Sequence, residues 1–155
     1  MRFVALSLAA LASVAAATPA LANETRVEAR GGVYWANGYT QDAYGVAAGY
    51  DFDLGDKAFT GMEISADKIA DTGTKVAFGF TGRAGAKVGT GGKLYAAGGY
   101  TTEPCNLCDG AWHAGAGYQQ DINQSVYGKV EYRHFFTDNN RPDANAVMVG
   151  VGMKF

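Results

Sequence analysis

From Thr25 to the last residue, large apolar side chains recur at every second position, with Gly, Ala or a charged residue between them. A repeat of two belongs to the extended strand, whose side chains alternate between faces, and does not fit the 3.6-residue repeat of a helix. In the stretch 125–136, Val126, Val130, Tyr132 and Phe136 share one phase while Lys129, Glu131 and Arg133 share the other. The stretch 74–88 sets Val76, Phe78, Phe80, Ala84 and Val88 against Lys75, Thr81, Arg83 and Lys87. The last stretch sets Val147, Val149, Val151, Met153 and Phe155 against Gly150, Gly152 and Lys154. The 22 Gly, 9 Tyr and 8 Phe among 155 residues suit many strands joined by tight turns, and the length limits the chain to one domain.

The pattern divides into eight strands, expected near 25–35, 42–54, 57–67, 74–88, 93–102, 110–120, 125–136 and 145–155. Three connections read as tight turns: Leu54-Gly55-Asp56-Lys57, Gly89-Thr90-Gly91-Gly92 and Asp121-Ile122-Asn123-Gln124. Four are longer or more polar, at 37–41, 68–73, 103–109 and 137–144. Short and long connections alternate, so they fall at opposite ends of an antiparallel up-and-down meander.

Met1 to Ala22 read as a secretory signal peptide: Arg2 supplies the positive start, Phe3 to Ala17 the apolar run, and Ala20-Leu21-Ala22 a small-residue cleavage site. The run is shorter than the roughly 20 residues of a helical span, and Pro19 interrupts it. Residues 1–22 are therefore expected to be removed, leaving 23–155 as the barrel. No later segment approaches the about 18 continuous apolar residues of a membrane helix.

Two closed sheets compete for such a pattern. A soluble, lipocalin-like barrel points its apolar phase inward, whereas a membrane barrel turns that phase to lipid and packs the other into the lumen. The second phase here is rich in small residues (Gly45, Ala47 and Gly49; Gly115 and Gly117; Gly150 and Gly152), which suit a crowded interior. Aromatics of the apolar phase gather toward strand ends, with Trp35, Tyr44, Trp112 and Phe136 near the longer loops and Tyr50, Phe52, Tyr118 and Phe155 near the tight turns. That distribution matches two interfacial girdles. Charges stand in mid-strand on the small-residue phase. The expected fold is an all-β, eight-stranded antiparallel up-and-down transmembrane β-barrel with a filled polar interior, because only closure satisfies every backbone group in hydrocarbon and eight strands leave no open bore. An interior ionic network is expected from Glu28, Arg30, Glu63, Arg83, Lys129, Glu131 and Arg133. It reads as an ionic plug in preference to a gated ion path, since a lone buried charge costs several kcal/mol.

The other chemistry-bearing residues are sparse. A formal net charge of -2, with no run of Lys or Arg, excludes a nucleic-acid partner. Cys105 and Cys108 lie in the third long connection without the helix start of a redox CxxC motif, and an exported location favours a disulfide stapling the loop. Glu103, Asp109 and His113 stand close to them but lack zinc spacing, so neither metal nor cofactor is expected. The glycines occupy strand positions and form no phosphate-binding loop. His134 falls on the apolar phase near the outer rim, where an outer-membrane lipid-modifying enzyme would need a histidine paired with a serine. Residue 136 is Phe, however, and no enzymatic activity is expected.

The signal peptide, the segment Glu131 to Phe136 (EYRHFF), the Asp/Asn-rich last loop and the ending AVMVGVGMKF (Ala146 to Phe155) together resemble the small eight-stranded outer-membrane β-barrels of Gram-negative bacteria. Those are the OmpX, OmpA-domain and opacity-protein type. The resemblance covers essentially all of 23–155. It implies termini and tight turns in the periplasm, longer loops outside the cell, and Phe155 as the signal read by the barrel-assembly machinery. It further implies a monomer whose other partners are outer-membrane lipid and lipopolysaccharide, with a structural or surface-interaction role in the envelope. The short loops depart from strong adhesins in that family, and the large periplasmic domain that lets some of those relatives grip the cell wall is not expected here.

Overall fold

In the computed structural model, residues 23–137 and 142–155 are described; the expected signal peptide, 1–22, lies outside them. The period-two segments form β1 (Asn23–Ala36), β2 (Tyr39–Leu54), β3 (Ala58–Ile69), β4 (Ala77–Val88), β5 (Gly92–Thr101), β6 (Ala111–Asp121), β7 (Val126–Phe136) and β8 (Ala144–Lys154). Each strand pairs antiparallel with its sequence neighbours, and β1 also pairs with β8, so the sheet closes with no free edge. The seam runs from Arg26 opposite Lys154 to Ala36 opposite Ala144. Beyond it, Thr25 and Phe155 exchange backbone hydrogen bonds at 3.2 and 2.9 Å.

Asn23 and Phe155, with the turns at 55–57, 89–91 and 122–125, lie at one end of the barrel, called here the terminal end. Residues 37–38, 70–76 and 102–110 join strands at the opposite, loop end, where β7 also ends and β8 begins. The first of these corrects the expected longer connection at 37–41. Asn37 and Gly38 alone make the turn, with φ of 49° and 81°. This is the left-handed pair that matches strand twist in a two-residue hairpin, and the Asn-Gly dipeptide is its usual sequence. The fourth strand also starts later than the expected residue 74. Thr74 bridges to Cys105 and the Lys75 N–H donates to Pro104 O at 2.8 Å, so these residues tie two loop-end connections together.

Burial is inverted relative to a water-soluble protein. Phe80, Met62 and Val151 are 60, 60 and 61% exposed on the outer face, whereas Arg26 and Asp51 are fully enclosed. Shielding one large apolar side chain from water is worth about 1.5–3 kcal/mol. A belt of them around the whole barrel calls for an apolar solvent, and the lipocalin-like alternative fails on this point. Tyr44, Tyr100, Trp112 and Phe136 stand exposed toward the loop end, and Phe52, Tyr118 and Phe155 toward the terminal end. Tyr100 and Trp112, directly opposed on β5 and β6, meet edge to face with centroids 5.3 Å apart. The aromatics are not all outside: Phe59, Tyr95 and Tyr127 are buried in the lumen.

Candidate functional site

The lumen is built by the second phase of every strand. β1 sends Arg26, Glu28 and Arg30 inward, β3 sends Glu63, Ser65 and Asp67, and β7 sends Tyr127, Lys129, Glu131 and Arg133. These long side chains have room because the walls beside them are small. Arg30 is opposed by Gly45 on β2 and Gly150 on β8, and the Arg26 guanidinium lies where a side chain at Gly49 would project.

Glu63, only 3% exposed, is the hub. Its carboxylate accepts from Arg26 Nη1 at 2.7 Å, Arg30 Nη1 at 2.9 Å, Arg133 Nη2 at 2.9 Å and Lys129 Nζ at 3.3 Å. Glu28 neutralises three of these cations, with Lys129 Nζ at 2.5 Å, Arg30 Nη1 at 3.6 Å and Arg26 Nη1 at 3.9 Å, and accepts from the Tyr127 hydroxyl at 2.8 Å. Glu131 takes the Arg133 Nε–H and the Tyr95 hydroxyl, the latter at 2.6 Å. Asp67 grips Arg30 with both oxygens, from Nε at 2.8 Å and Nη2 at 2.5 Å.

A second cluster lies toward the terminal end around Asp51. It receives the Arg83 guanidinium through Nε at 2.9 Å and through Nη2, and Lys93 Nζ at 3.0 Å. Arg26 Nε, 3.5 Å from Asp51, joins the two clusters. Arg83 is also stacked between aromatic neighbours, 4.8 Å from the Tyr95 ring centre and 5.3 Å from that of Phe59. The cations Arg26, Arg30, Arg83, Lys93, Lys129 and Arg133 thus meet an equal number of carboxylates, Glu24, Glu28, Asp51, Glu63, Asp67 and Glu131. Balance of this kind is what a water-poor interior requires, since each unpaired ion there would cost several kcal/mol.

All seven residues expected in the interior network point into the lumen. Glu28, Arg30, Glu63, Lys129, Glu131 and Arg133 share the Glu63 cluster, and Arg83 belongs to the Asp51 cluster. Sequence reasoning overlooked Glu24, Arg26, Asp51, Asp67 and Lys93. The first four lie on the same two-residue phase as residues it had placed inside on β1, β2 and β3 (Glu28, Gly49 and Glu63), so extending that step would have found them.

At the loop end, Cys105 and Cys108 form a disulfide. Glu103 pairs with Lys75 at 2.7 Å, while His113 points inward between the hydroxyls of Thr81 and Thr101, 3.0 and 3.1 Å away. Glu103 and His113 are therefore held apart, and among the described residues no group of three or more His, Cys, Asp or Glu is arranged for a metal ion. On the outer rim His134 contacts Asn145 Oδ1 through Nδ1 at 2.9 Å and Asp143 through Nε2 at 3.3 Å. Both ring nitrogens face amide or carboxylate oxygens, and the side chain packs edge to face on Phe136 with centroids 4.7 Å apart.

The closed eight-strand sheet, the apolar outside and the charge-filled lumen define a small transmembrane β-barrel. The sequence profile of the outer membrane protein beta-barrel domain matches residues 6–155, and the chain belongs to that family, which places it in the bacterial outer membrane. Among solved structures, it is similar to the N-terminal β-barrel domain of Pseudomonas aeruginosa OprF, with a TM-score of 0.65 and 18% identity over 85% of this chain and 97% of that one. Neisserial surface protein A (NspA) aligns with a TM-score of 0.58 and 11% identity, covering 89 and 100% of the two chains. Ail, the attachment invasion locus protein of Yersinia pestis, aligns at 0.56 and 10%, covering 86 and 97%. These identities support the shared fold alone. No curated protein matches the chain.

Proposed function

We propose that this protein is a plugged, monomeric envelope barrel that serves the outer membrane as a structural and surface-presenting element, without a diffusion pore and without enzymatic activity. The carrying observation is the Glu63 hub. Side chains from β1, β3 and β7 meet across the lumen on one carboxylate, so the bore is filled at mid-height by paired charges. Surface presentation is supported by the loop end, where Tyr39 and Leu107 are exposed and the longer connections gather. Absence of catalysis is supported by the neighbours of the rim histidine, since the contacts of His134 are Asn145, Asp143 and Phe136 and include no serine hydroxyl among the described residues.

In this reading 1–22 are removed on export, the terminal end faces the periplasm, Phe155 guides the barrel-assembly machinery, and lipid and lipopolysaccharide surround the outer belt. Recording from the purified barrel in planar bilayers is the test. Only brief, small conductance events are expected, and a sustained large conductance overturns the proposal. Thiol labelling of intact cells after mild reduction checks the orientation, with Cys105 and Cys108 reacting from outside.

A further inference from the structure

Above the Glu63 hub the lumen is not filled. A cavity of about 300 Å³ lies between the plug and the loop end. Its walls are largely apolar, formed by Tyr34, Ala43, Ala77, Phe135, Ala146 and Met148. Among the described residues its polar lining carries Arg30, Lys68 and Arg133 beside Asp67 and Asp109. The Arg133 side chain is 4% exposed and donates from Nε to Glu131 and from Nη2 to Glu63. Among the described residues no hydrogen bond leaves its Nη1, although a guanidinium carries five N–H donors.

We propose that this vestibule binds a small amphipathic monoanion, a carboxylate on a short apolar tail. The head takes the free edge of Arg133, and the tail lies along Phe135, Met148 and the alanine wall. The volume is at the small end of ligand cavities, and apolar walls with one placed charged donor are the usual composition of such sites. A carboxylate at an arginine makes a charge-assisted hydrogen bond about twice as strong as a neutral one, so the head group discriminates between ligands. The plug beneath fixes Arg133 before any ligand arrives, which limits the ordering cost of binding. This site does not depend on whether the barrel conducts.

The chain supplies its own reporters. Met148 lines the cavity, whereas Met62 and Met153 are exposed on the lipid face. Protein carrying 13C-methyl methionine, held in phosphatidylcholine nanodiscs, is titrated with octanoate and separately with octanol. Octanoate is expected to shift the Met148 methyl resonance saturably, with octanol at least about tenfold weaker. Ala146→Leu, which fills the wall and leaves the ionic network in place, is expected to abolish the saturable shift, and Arg133→Gln to weaken octanoate about tenfold. Three results overturn the proposal: no shift at Met148, a shift that rises without saturation in step with Met62 and Met153, or equal binding of octanoate and octanol.

Discussion

The ring of Tyr127 occupies the space into which a side chain at Gly152 would project. The two residues are directly opposed on β7 and β8, and a Cβ on Gly152 would fall 2.4 Å from Tyr127 Cζ and 2.6 Å from the Val27 carbonyl oxygen. The Tyr127 hydroxyl is fixed in turn by its hydrogen bond to Glu28, so the ring has nowhere to retreat. Gly152→Ala should therefore destabilise the barrel by about 1–3 kcal/mol, the usual cost of overpacking. Urea unfolding in lipid vesicles reads the change, and an unaltered midpoint would show that the ring moves freely.

Because Glu63 serves Arg26, Arg30, Lys129 and Arg133, neutralising it should be costlier than removing any one of those cations. Glu63→Gln is expected to lose about 3–5 kcal/mol, the range for stranding buried charge. Arg133→Ala should lose less, since Glu63 retains its other partners. The same unfolding assay ranks the two, and the reverse order would remove Glu63 from the centre of the network.

Arg133 and Glu131 are mutually paired, with Glu131 also held by Tyr95. The double variant Arg133→Ala with Glu131→Ala should unfold at a higher denaturant concentration than Arg133→Ala alone, because it leaves no excess buried carboxylate. Equal midpoints would argue against an interior pair.

The disulfide spans residues only three apart in sequence, so it constrains little of the unfolded chain. Replacing Cys105 and Cys108 by Ser should cost the barrel no more than about 2 kcal/mol of unfolding free energy. It should nevertheless speed amide exchange at Lys75, whose N–H is bonded to Pro104 in the stapled loop. Unaltered exchange would show that the loop holds its shape without the staple.

Asp143 lies in the last loop, where the backbone N–H of Thr137 donates to its carboxylate at 3.0 Å and holds its pKa below the ordinary aspartate range. A depressed folded pKa means that this contact stabilises the loop above the ordinary value and is lost as pH falls through the lowered one. The carboxyl 13C shift of Asp143, followed by NMR, should titrate below the ordinary aspartate range. Titration within or above that range would show that the Thr137 contact does not form.

The architecture was legible because a residue's phase dictates its face throughout the closed sheet: Val149 and Val151 point out, and Glu131 and Arg133 point in. Phe59, Tyr95 and Tyr127 obey the same rule, since each shares the inward phase of a charged residue on its own strand: Glu63, Lys93 and Lys129. What phase does not tell is how the lumen accommodates their rings, which depends on cross-strand features such as the gap at Gly152 and the Arg83 guanidinium. Likewise, strand phase placed the charges in the lumen but could not choose Glu63 as hub. That choice depends on how far β1, β3 and β7 stand apart once the sheet has curved. The Asn37-Gly38 hairpin was legible and was missed, because the polar residues flanking it were read as loop when they continue the strands.

The seam pairs Val27 with Met153, the two ends of the barrel sequence. Half of the backbone partners of β1 therefore do not exist until β8, the last of the eight strands, has been made. The sheet cannot close strand by strand from its start, and all eight strands must reach the membrane before the first finds its last neighbour.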